Sequence, residues 1–475
     1  MSATPGRQIL DLGRARLAGR SFGADIDIAA KAQPFEPQRW RPDDTHHPTL
    51  QLDDVSAIPF LVDIAGVEEY QHRGRLRAGD HDVYVTVTSA VEGYEAYCQE
   101  VLRMGAPRHL VAEPVGPAIA VSRACTEGAT HARLVEIARD ASGMMIHPYM
   151  GIEDVWELAA MLSIDSHCPV HVLAPPPPVT WIANDKALFD ELVARVLGRD
   201  ALVDTRISRN AEGIATDLLA LSKRHPRVGL KRTRCASAMG NAVNSSRDIQ
   251  SRRAAAETVE EFLRRTQWPD GEDVLTVAWL DSDMSPSTQL WIPPLGSGDP
   301  RLDGIYEQIL KGKEKVFVGS RPSTLPEAIN RELGTQALMV GAALQELGYV
   351  GRCSFDHLVT GDPHGDFDVV FTECNGRWGG TSMPMSLVDR LLEGPRPPYR
   401  AQDVVFPELI GARLPDLLEL VGDLAFRTDT GQGRFIFYNL GPLDRHGKFD
   451  VISIGADQQD AERGMLEILP QRLGL

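Results

Sequence analysis

The chain has 475 residues, 43% of them hydrophobic and 24% charged, with a formal net charge of −17. This composition is typical of a globular enzyme, and at about 150 residues per domain the length predicts roughly three structural units. The acidic balance disfavours a broad polyanion-binding surface, so we do not expect nucleic acid as a partner. The sequence contains no run of about 18 apolar residues, so it predicts no membrane-spanning helix.

The six cysteines contain no C-x-x-C pair. The N-terminal segment lacks the apolar core of a secretory signal, which argues against an oxidising compartment. We therefore expect free thiols, rather than disulfides or a zinc site, and a cytoplasmic location.

In the N-terminal third, the composition and periodicity of the sequence change near Ile58. Residues 1–45 are rich in Arg, Asp, Pro and Gly and show little sustained periodicity, so we interpret them as an N-terminal extension. Residues 46–177 then alternate between predicted strands, such as Val83–Thr88, and helical stretches, such as Gly93–Arg103. This alternation predicts an α/β unit with parallel strands.

A run of four prolines, Pro175–Pro178, ends that unit, because proline does not fit inside a helix or a central strand. Beyond it we expect two further units, residues 178–265 and 266–475. Their predicted elements, in chain order, are helix 184–197, strand 228–231, helix 252–265, strands 274–280 and 288–292, helix 326–347, strand 369–372, two strands after Gly433, and a helix near 460–469.

The most specific feature is the segment that ends in Glu373-Cys-Asn375-Gly-Arg377. In a strand, residues two apart face the same side, so Glu373 and Asn375 would project together. A carboxylate beside a carboxamide oxygen suits Mg²⁺, which prefers hard oxygen ligands. Arg377 follows in the loop, where it can hold a carboxylate or a phosphoryl group.

A second predicted strand, Gly351–Val359, carries an acid at its centre. If it pairs in antiparallel fashion with the strand that carries Glu373, Asp356 would lie beside that residue and complete a carboxylate site. Taken alone, E-x-N is typical of a solvated strand end. The combination of Asp356 with E-x-N and Arg377 favours the metal site.

Basic residues also leave a strand near Lys231 and enter a loop of small residues up to Asn241. Small side chains let backbone N–H groups approach phosphate oxygens, and lysine supplies a positive charge. The alternative is an ordinary solvated strand end. The sequence contains no Walker motif and no G-x-G-x-x-G after a strand, so neither a P-loop nor a Rossmann dinucleotide site is supported.

The helix after the prolines opens with Asn184-Asp185-Lys186. Asn184 or Asp185 is expected to cap this helix. The helix dipole disfavours a cation in the first turn, so Lys186 is more easily explained if it meets an anion, although a surface lysine is the commoner reading.

The order Lys186, Lys231, Asp356 and Glu373-x-Asn375-x-Arg377 resembles the ATP-grasp superfamily over about residues 178–395. In detail, the Asn184-Asp-Lys, Val228-Gly-Leu-Lys, Ala236–Asn241 and Glu373–Gly380 segments resemble peptide ligases of the pheganomycin-biosynthesis type. This resemblance implies an ATP-grasp fold of two α+β subdomains that grip ATP, preceded by a Rossmann-like domain that helps to form the substrate site.

The resemblance also implies the roles of individual residues. Lys186 and Lys231 would bind the α- and β-phosphates, and Ser237–Asn241, with Gly240, would cover the triphosphate. Leu280 and Asp281 would lie at the adenine hinge. Mg²⁺, or Mn²⁺ in its place, would be held by Asp356, Glu373 and Asn375, and Arg377, with Lys231, would act on the reacting phosphoryl group.

The expected activity is ATP-dependent ligation of a carboxylate to an amine through an acyl-phosphate, forming an amide or peptide bond in peptide or natural-product biosynthesis. Three alternatives remain open: transfer of an amino acid to a carrier-protein thiol, a nucleotide-binding protein without catalysis, and a phosphotransferase that makes a stable phosphorylated product. The expected partners are small-molecule substrates, with a homodimer as the default assembly. Neither the identity of the acid and the amine nor a general base for the amine can be inferred from the sequence.

Overall fold

The computed structural model describes residues 8–44, 48–59, 61, 64–235, 240–312 and 315–475. The chain opens with two helices, α1 (Leu12–Asp25) and α2 (Ile28–Ala32). Asp11 caps α1 by accepting a hydrogen bond from the backbone N–H of Arg14 at 2.8 Å. The sequence did not predict α1, since Arg and Gly residues interrupt its apolar spacing.

A five-stranded parallel sheet follows, with the strand order β3-β2-β1-β4-β5. It confirms the predicted α/β unit with parallel strands. Its elements are β1 (Thr49–Leu52), β2 (Val83–Thr86), α3 (Tyr94–Ala96), β3 (Arg108–Val111), α4 (Val121–Ala124), α5 (Gly128–Asp140), β4 (Met144–Pro148), α6 (Glu153–Ser166) and β5 (Val170–Val172). A 3₁₀ segment, Val67–Leu76, connects β1 to β2.

The proline run differs from its prediction. Its last two residues lie inside helix α7 (Pro177–Asn184), at first-turn positions whose N–H groups would have no partner within the helix. A second helix, α8 (Lys186–Leu197), follows at once, and its first turn is capped by the side chain of Asp185. The expectation that proline stays outside helices was therefore wrong for Pro177 and Pro178.

A four-stranded antiparallel sheet comes next, with the order β6-β9-β7-β8. Two helices bury their apolar faces in one core with strand residues such as Val228 and Leu230. The elements are β6 (Thr205–Ser208), α9 (Ala211–Ser222), β7 (Arg227–Arg232), β8 (Asn241–Ser245), α10 (Arg252–Arg265) and β9 (Val274–Ala278).

The largest sheet has eight antiparallel strands in the order β14-β13-β10-β11-β12-β15-β17-β16. Strands β11, β12 and β15 were not predicted. The elements are β10 (Pro286–Ile292), β11 (Arg301–Lys311), β12 (Val316–Pro322), α11 (Glu327–Glu346), β13 (Gly351–Gly361), β14 (Phe367–Asn375), α12 (Ser382–Leu391), β15 (Tyr399–Val405), α13 (Leu414–Val421), β16 (Phe435–Tyr438), α14 (Leu443–His446), β17 (Lys448–Ile454), α15 (Gln458–Arg463) and α16 (Leu469–Arg472).

Helix α1 packs closely on α11. Gly19 is buried in this contact, and a Cβ atom there would lie 2.6 Å from the carbonyl oxygen of Ala343. Arg20 supports the contact with an ion pair to Glu346 at 3.1 Å. Within the described part of the chain, no helix is long and apolar enough to cross a membrane.

Candidate active site

The two predicted acid-bearing strands are direct neighbours. Strands β13 and β14 pair in antiparallel register, with Asp356 opposite Glu373 and Ser354 opposite Asn375. The carboxamide of Asn375 donates a hydrogen bond to Oδ2 of Asp356 at 3.0 Å. The predicted pairing is confirmed, and it places two carboxylates and one carboxamide on the same surface.

Two lysines from distant parts of the chain meet these acids. The ammonium group of Lys186 lies 3.0 Å from Oε2 of Glu373. Lys231, on β7, lies 5.4 Å from the ring centroid of Trp279 and lines one cavity together with Glu373. The tertiary structure therefore brings together the two lysines and the acids that the sequence singled out.

The electrostatics of this group follow from its burial. Burial works to raise the pKa of Glu373, but Lys186 and Lys231 outweigh it and hold that pKa below its ordinary value. Burial, together with the charge of Glu373, raises the pKa of Asp356 to about 6. Burial lowers the pKa of Lys231. The lysines and carboxylates thus partly neutralise each other here. When a polyanion and a divalent cation bind, the polyanion can contact the lysines and the divalent cation can contact the carboxylates.

Arg377 is held in place by a residue that the sequence assigned differently. Oδ1 of Asn184 accepts hydrogen bonds from Nη1 of Arg377 at 3.0 Å and from the backbone N–H of Gly376 at 3.1 Å. Asp185, not Asn184, caps helix α8. Asn184 therefore positions the loop that carries Arg377. In the sequence, only its position near Lys186 indicated that Asn184 belongs to the site.

The site opens into a cavity of about 940 Å³ between the sheets. Several predicted site residues line this cavity: Lys231, Asn241, Leu280, Asp356, Glu373, Asn375 and Arg377. Lys186 reaches Glu373 from a small adjoining recess.

The other predicted site residues lie apart from the cavity wall or outside the described chain. Gly240 directly precedes β8, and its carbonyl accepts a hydrogen bond from the N–H of Arg232 at 2.9 Å. The side chain of Asp281 is exposed and lies 3.5 Å from Arg227. Ser237 lies outside the described residues.

The acids fit a hard divalent cation. Oδ1 of Asp356 is buried and has no hydrogen-bond partner among the described atoms. The described chain contains no group of three or more His, Cys, Asp or Glu side chains arranged to hold a metal. Two carboxylates are nevertheless the usual protein contribution to Mg²⁺, which fills its remaining positions with water and substrate phosphates.

Sequence reasoning missed other residues on the cavity wall. Trp279 packs against Lys231, and Ser287 and Gln308 lie near Asp356 and act to lower its pKa. Ser287 and Gln308 are ordinary polar residues of strands β10 and β11, and Trp279 directly follows β9, so their spacing carried no signal. The cavity also has a second charged end, built from residues of the 3₁₀ segment Val67–Leu76 and of strands β15 and β17.

No protein-family model matches the sequence, and no curated protein matches it. Solved structures do resemble the fold. The ADP complex of an N5-carboxyaminoimidazole ribonucleotide synthetase has a TM-score of 0.54 and 12% identity, over 90% of this chain and 99% of that chain. The ATP complex of carboxyaminoimidazole ribonucleotide synthase from Aspergillus clavatus has a TM-score of 0.52 and 11% identity, over 90% and 99% of the two chains.

A third structure agrees with these two. The biotin carboxylase domain of the Hydrogenobacter thermophilus 2-oxoglutarate carboxylase, in complex with MgADP, ADP and bicarbonate, has a TM-score of 0.50 and 13% identity over 88% of each chain. The chain has the ATP-grasp fold. At such low identities the likeness establishes the architecture and not the reaction, which must be argued from the residues of the site.

Proposed function

We propose that this chain is an ATP- and Mg²⁺-dependent ligase that joins a carboxylate to an amine. One observation carries the proposal: Asp356 lies opposite Glu373 on paired strands, and Glu373 contacts Lys186 on the wall of a large cavity. This combination of cations and hard oxygen ligands suits a nucleoside triphosphate with its metal. The nucleotides bound in the three similar structures support the same ligand.

Each residue of the site has a proposed role in binding. Lys186 and Lys231 hold the phosphates. Ser237, Gly240 and Asn241, the last of which begins strand β8, belong to the segment proposed to cover them. Leu280, with Asp281 beside it, lies at the adenine end. Mg²⁺, or Mn²⁺, is held by Asp356, Glu373 and Asn375. When bound, the metal neutralises charge on the phosphates.

The proposed reaction explains why these groups are needed together. A carboxylate is a poor electrophile, and transfer of the γ-phosphoryl group onto it creates a mixed anhydride with phosphate as leaving group. Lys231 and Arg377 hold the oxygens that carry negative charge during this transfer. The amine then displaces phosphate, and the covering loop excludes the water that would hydrolyse the anhydride.

In the proposed domain organisation, different parts of the chain bind the nucleotide and the other substrates. The nucleotide is gripped between the four-stranded sheet, built from residues 178–265 together with β9 of the next range, and the eight-stranded sheet of residues 266–475. Residues 46–177 add substrate contacts, and Tyr149 and Arg73 from this part line the same cavity. Residues 1–45 form an extension that packs on α11 through Gly19.

The finer assignment is a peptide or natural-product ligase, in line with the resemblance of the Asn184–Lys186 and Glu373–Gly380 segments. The test is an ATP-consumption assay with pools of carboxylic acids and amino acids in the presence of Mg²⁺. We expect ADP and phosphate, released only when acid and amine are both present, together with a product of condensed mass.

The same assay separates the alternatives. AMP and pyrophosphate would show adenylation and contradict the acyl-phosphate route. ATP binding without turnover under any pool would favour either a carrier-protein acceptor or a nucleotide-binding protein without catalysis. Addition of a phosphopantetheine-loaded carrier protein would then distinguish these two.

A further inference from the structure

A second group of charged side chains lines the same cavity on the C-terminal strands. Asp403 on β15 lies directly opposite Asp450 on β17 in the antiparallel register. Lys448 on β17 and Tyr70 and Arg73 of the 3₁₀ segment line the cavity with them. These five residues, the second polar cluster, contain no recognisable sequence motif and have no role in the nucleotide site.

The cluster has contacts of its own but leaves an acceptor free. The ammonium group of Lys448 lies 3.1 Å from Oδ2 of Asp403 and donates a hydrogen bond to the hydroxyl of Tyr70 at 2.8 Å. Asn439 donates to Oδ2 of Asp450 at 3.2 Å. Oδ1 of Asp403 is buried and has no hydrogen-bond partner among the described residues.

The cluster also leaves a donor free. Arg73 is 6% exposed, and its guanidinium lies between the rings of Tyr70 and Tyr149, at 4.5 and 4.8 Å from their centroids. Its Nε donates to the carbonyl of Tyr70 at 3.0 Å, but Nη2 is buried without a partner in the described chain. A buried donor of this kind costs free energy that a ligand carboxylate would recover.

Charged groups of both signs lie around this part of the cavity. Asp53 forms ion pairs with Arg77 and, at 3.6 Å, with Nε of Arg73. Lys448 pairs with Asp403, and the charge of Lys311 acts on Asp403 as well. A phosphate would meet the acids Asp403 and Asp450 here, and a simple cation would leave Nη2 of Arg73 without a partner. One free acceptor, Oδ1 of Asp403, and one free donor, Nη2 of Arg73, fit a ligand that carries both an ammonium and a carboxylate group.

We propose that the second polar cluster binds a free α-amino acid as the amine substrate. Its ammonium group lies between Asp403 and Asp450, and its carboxylate pairs with Arg73. This inference rests on the proposed function, which requires an amine in this cavity.

Two further observations agree with that placement. Burial and the charge of Asp403 raise the pKa of Asp450 to about 8, so a cation between the two carboxylates would relieve their repulsion. The backbone carbonyl of Tyr149 accepts a hydrogen bond from the N–H of Trp378 at 3.0 Å. Tyr149, which holds Arg73, is therefore attached to the loop that carries Arg377.

The test measures binding rather than turnover. The twenty L-amino acids would be titrated singly into the wild-type protein by calorimetry, followed by the N-acetyl and methyl-ester derivatives of each binder. We expect at least one saturable free amino acid and at least tenfold weaker binding of both derivatives, since each loses one of the two charged groups.

Variants then locate the site. Asp450→Asn and Arg73→Lys should each weaken amino-acid binding at least tenfold, with Asp403→Asn as a replacement if either fails to fold by circular dichroism. Glu373→Gln is the matched control, because it lies at the metal end of the cavity. It should lose the response to MgATP and keep the affinity for the amino acid.

Three results would overturn the inference. The first is the absence of any amino-acid binding in a protein that binds MgATP. The second is equal binding of the N-acetyl derivative, which would indicate an anion site. The third is binding of MgCl₂ alone that Asp450→Asn removes. If the protein binds an amino acid but does not bind MgATP, the result would contradict the proposed function and still support the amino-acid site.

Discussion

The ammonium group of Lys186 lies 3.0 Å from Oε2 of Glu373, which connects the first turn of helix α8 to strand β14. The positive end of a helix dipole disfavours a cation in this position, so the contact with an acid offsets an unfavourable placement. The same lysine is available to a phosphate once Glu373 binds a metal. The pair therefore connects the nucleotide and metal parts of the proposed site.

Replacement of Glu373 by Gln should reduce ATP turnover by about 100-fold or more, because the neutral amide binds Mg²⁺ poorly and no longer neutralises Lys186. The protein should stay folded, which circular dichroism would check. Asp368→Asn is the matched control, since Asp368 is an exposed acid on the same strand. Wild-type turnover in Glu373→Gln would remove this residue from the metal site.

Replacement of Lys231 by Met should weaken ATP binding by about tenfold or more, the value of one charge-assisted contact. Stability should respond differently. Burial lowers the pKa of Lys231, so its charge is disfavoured in the folded protein, and the variant without ATP should unfold at the same temperature or higher near neutral pH. Lys223→Met, at an exposed position, should change neither property. Unchanged ATP affinity in Lys231→Met would exclude this lysine from the phosphate site.

Asp450 should make the stability of the unliganded protein depend on pH. Its pKa is raised to about 8, against an ordinary value of 3.8 for an aspartate in an unfolded chain, so between these limits the folded state binds a proton that the unfolded state has released. Stability contributed by this group therefore falls as pH rises from about 4 to 8. Asp450→Asn removes the titration, so its unfolding temperature relative to wild type should rise between pH 5 and pH 8. A difference that stays constant across this range would show that Asp450 is ionised throughout.

Gly19 should tolerate no side chain. A Cβ atom there would approach the backbone of Ala343 to 2.6 Å, so Gly19→Ala should separate α1 from α11 and lower the free energy of unfolding by about 1–3 kcal/mol. Gly13 lies in the same helix, is exposed, and has its nearest neighbour at 3.5 Å. Gly13→Ala should therefore leave stability unchanged or raise it by up to ~1 kcal/mol. Denaturant unfolding of both variants checks the pair, and equal effects would contradict the close packing of α1.

Local periodicity of the sequence was sufficient to predict many individual helices and strands. Helix α10 has the predicted bounds, and α11 differs from its prediction by one residue at each end, because their apolar spacing and end residues act over a few turns. The N-terminal parallel sheet followed from strand–helix alternation. Strands β11, β12 and β15 were not predicted because they lack a distinct alternating pattern of apolar residues. Helix α1 was not predicted because its Arg and Gly residues interrupt the apolar spacing.

The sequence by itself determined that Glu373 and Asn375 share a strand face and that a neighbouring strand brings Asp356 beside them, because a two-residue period and a short connection leave few other arrangements. Only the tertiary structure decided the rest of the site. Asn184 and Arg377 are 193 positions apart and meet through packing of α7 against β14. The second polar cluster likewise joins the 3₁₀ segment to β15 and β17. Contacts over such separations depend on how whole sheets pack, and no local pattern encodes them.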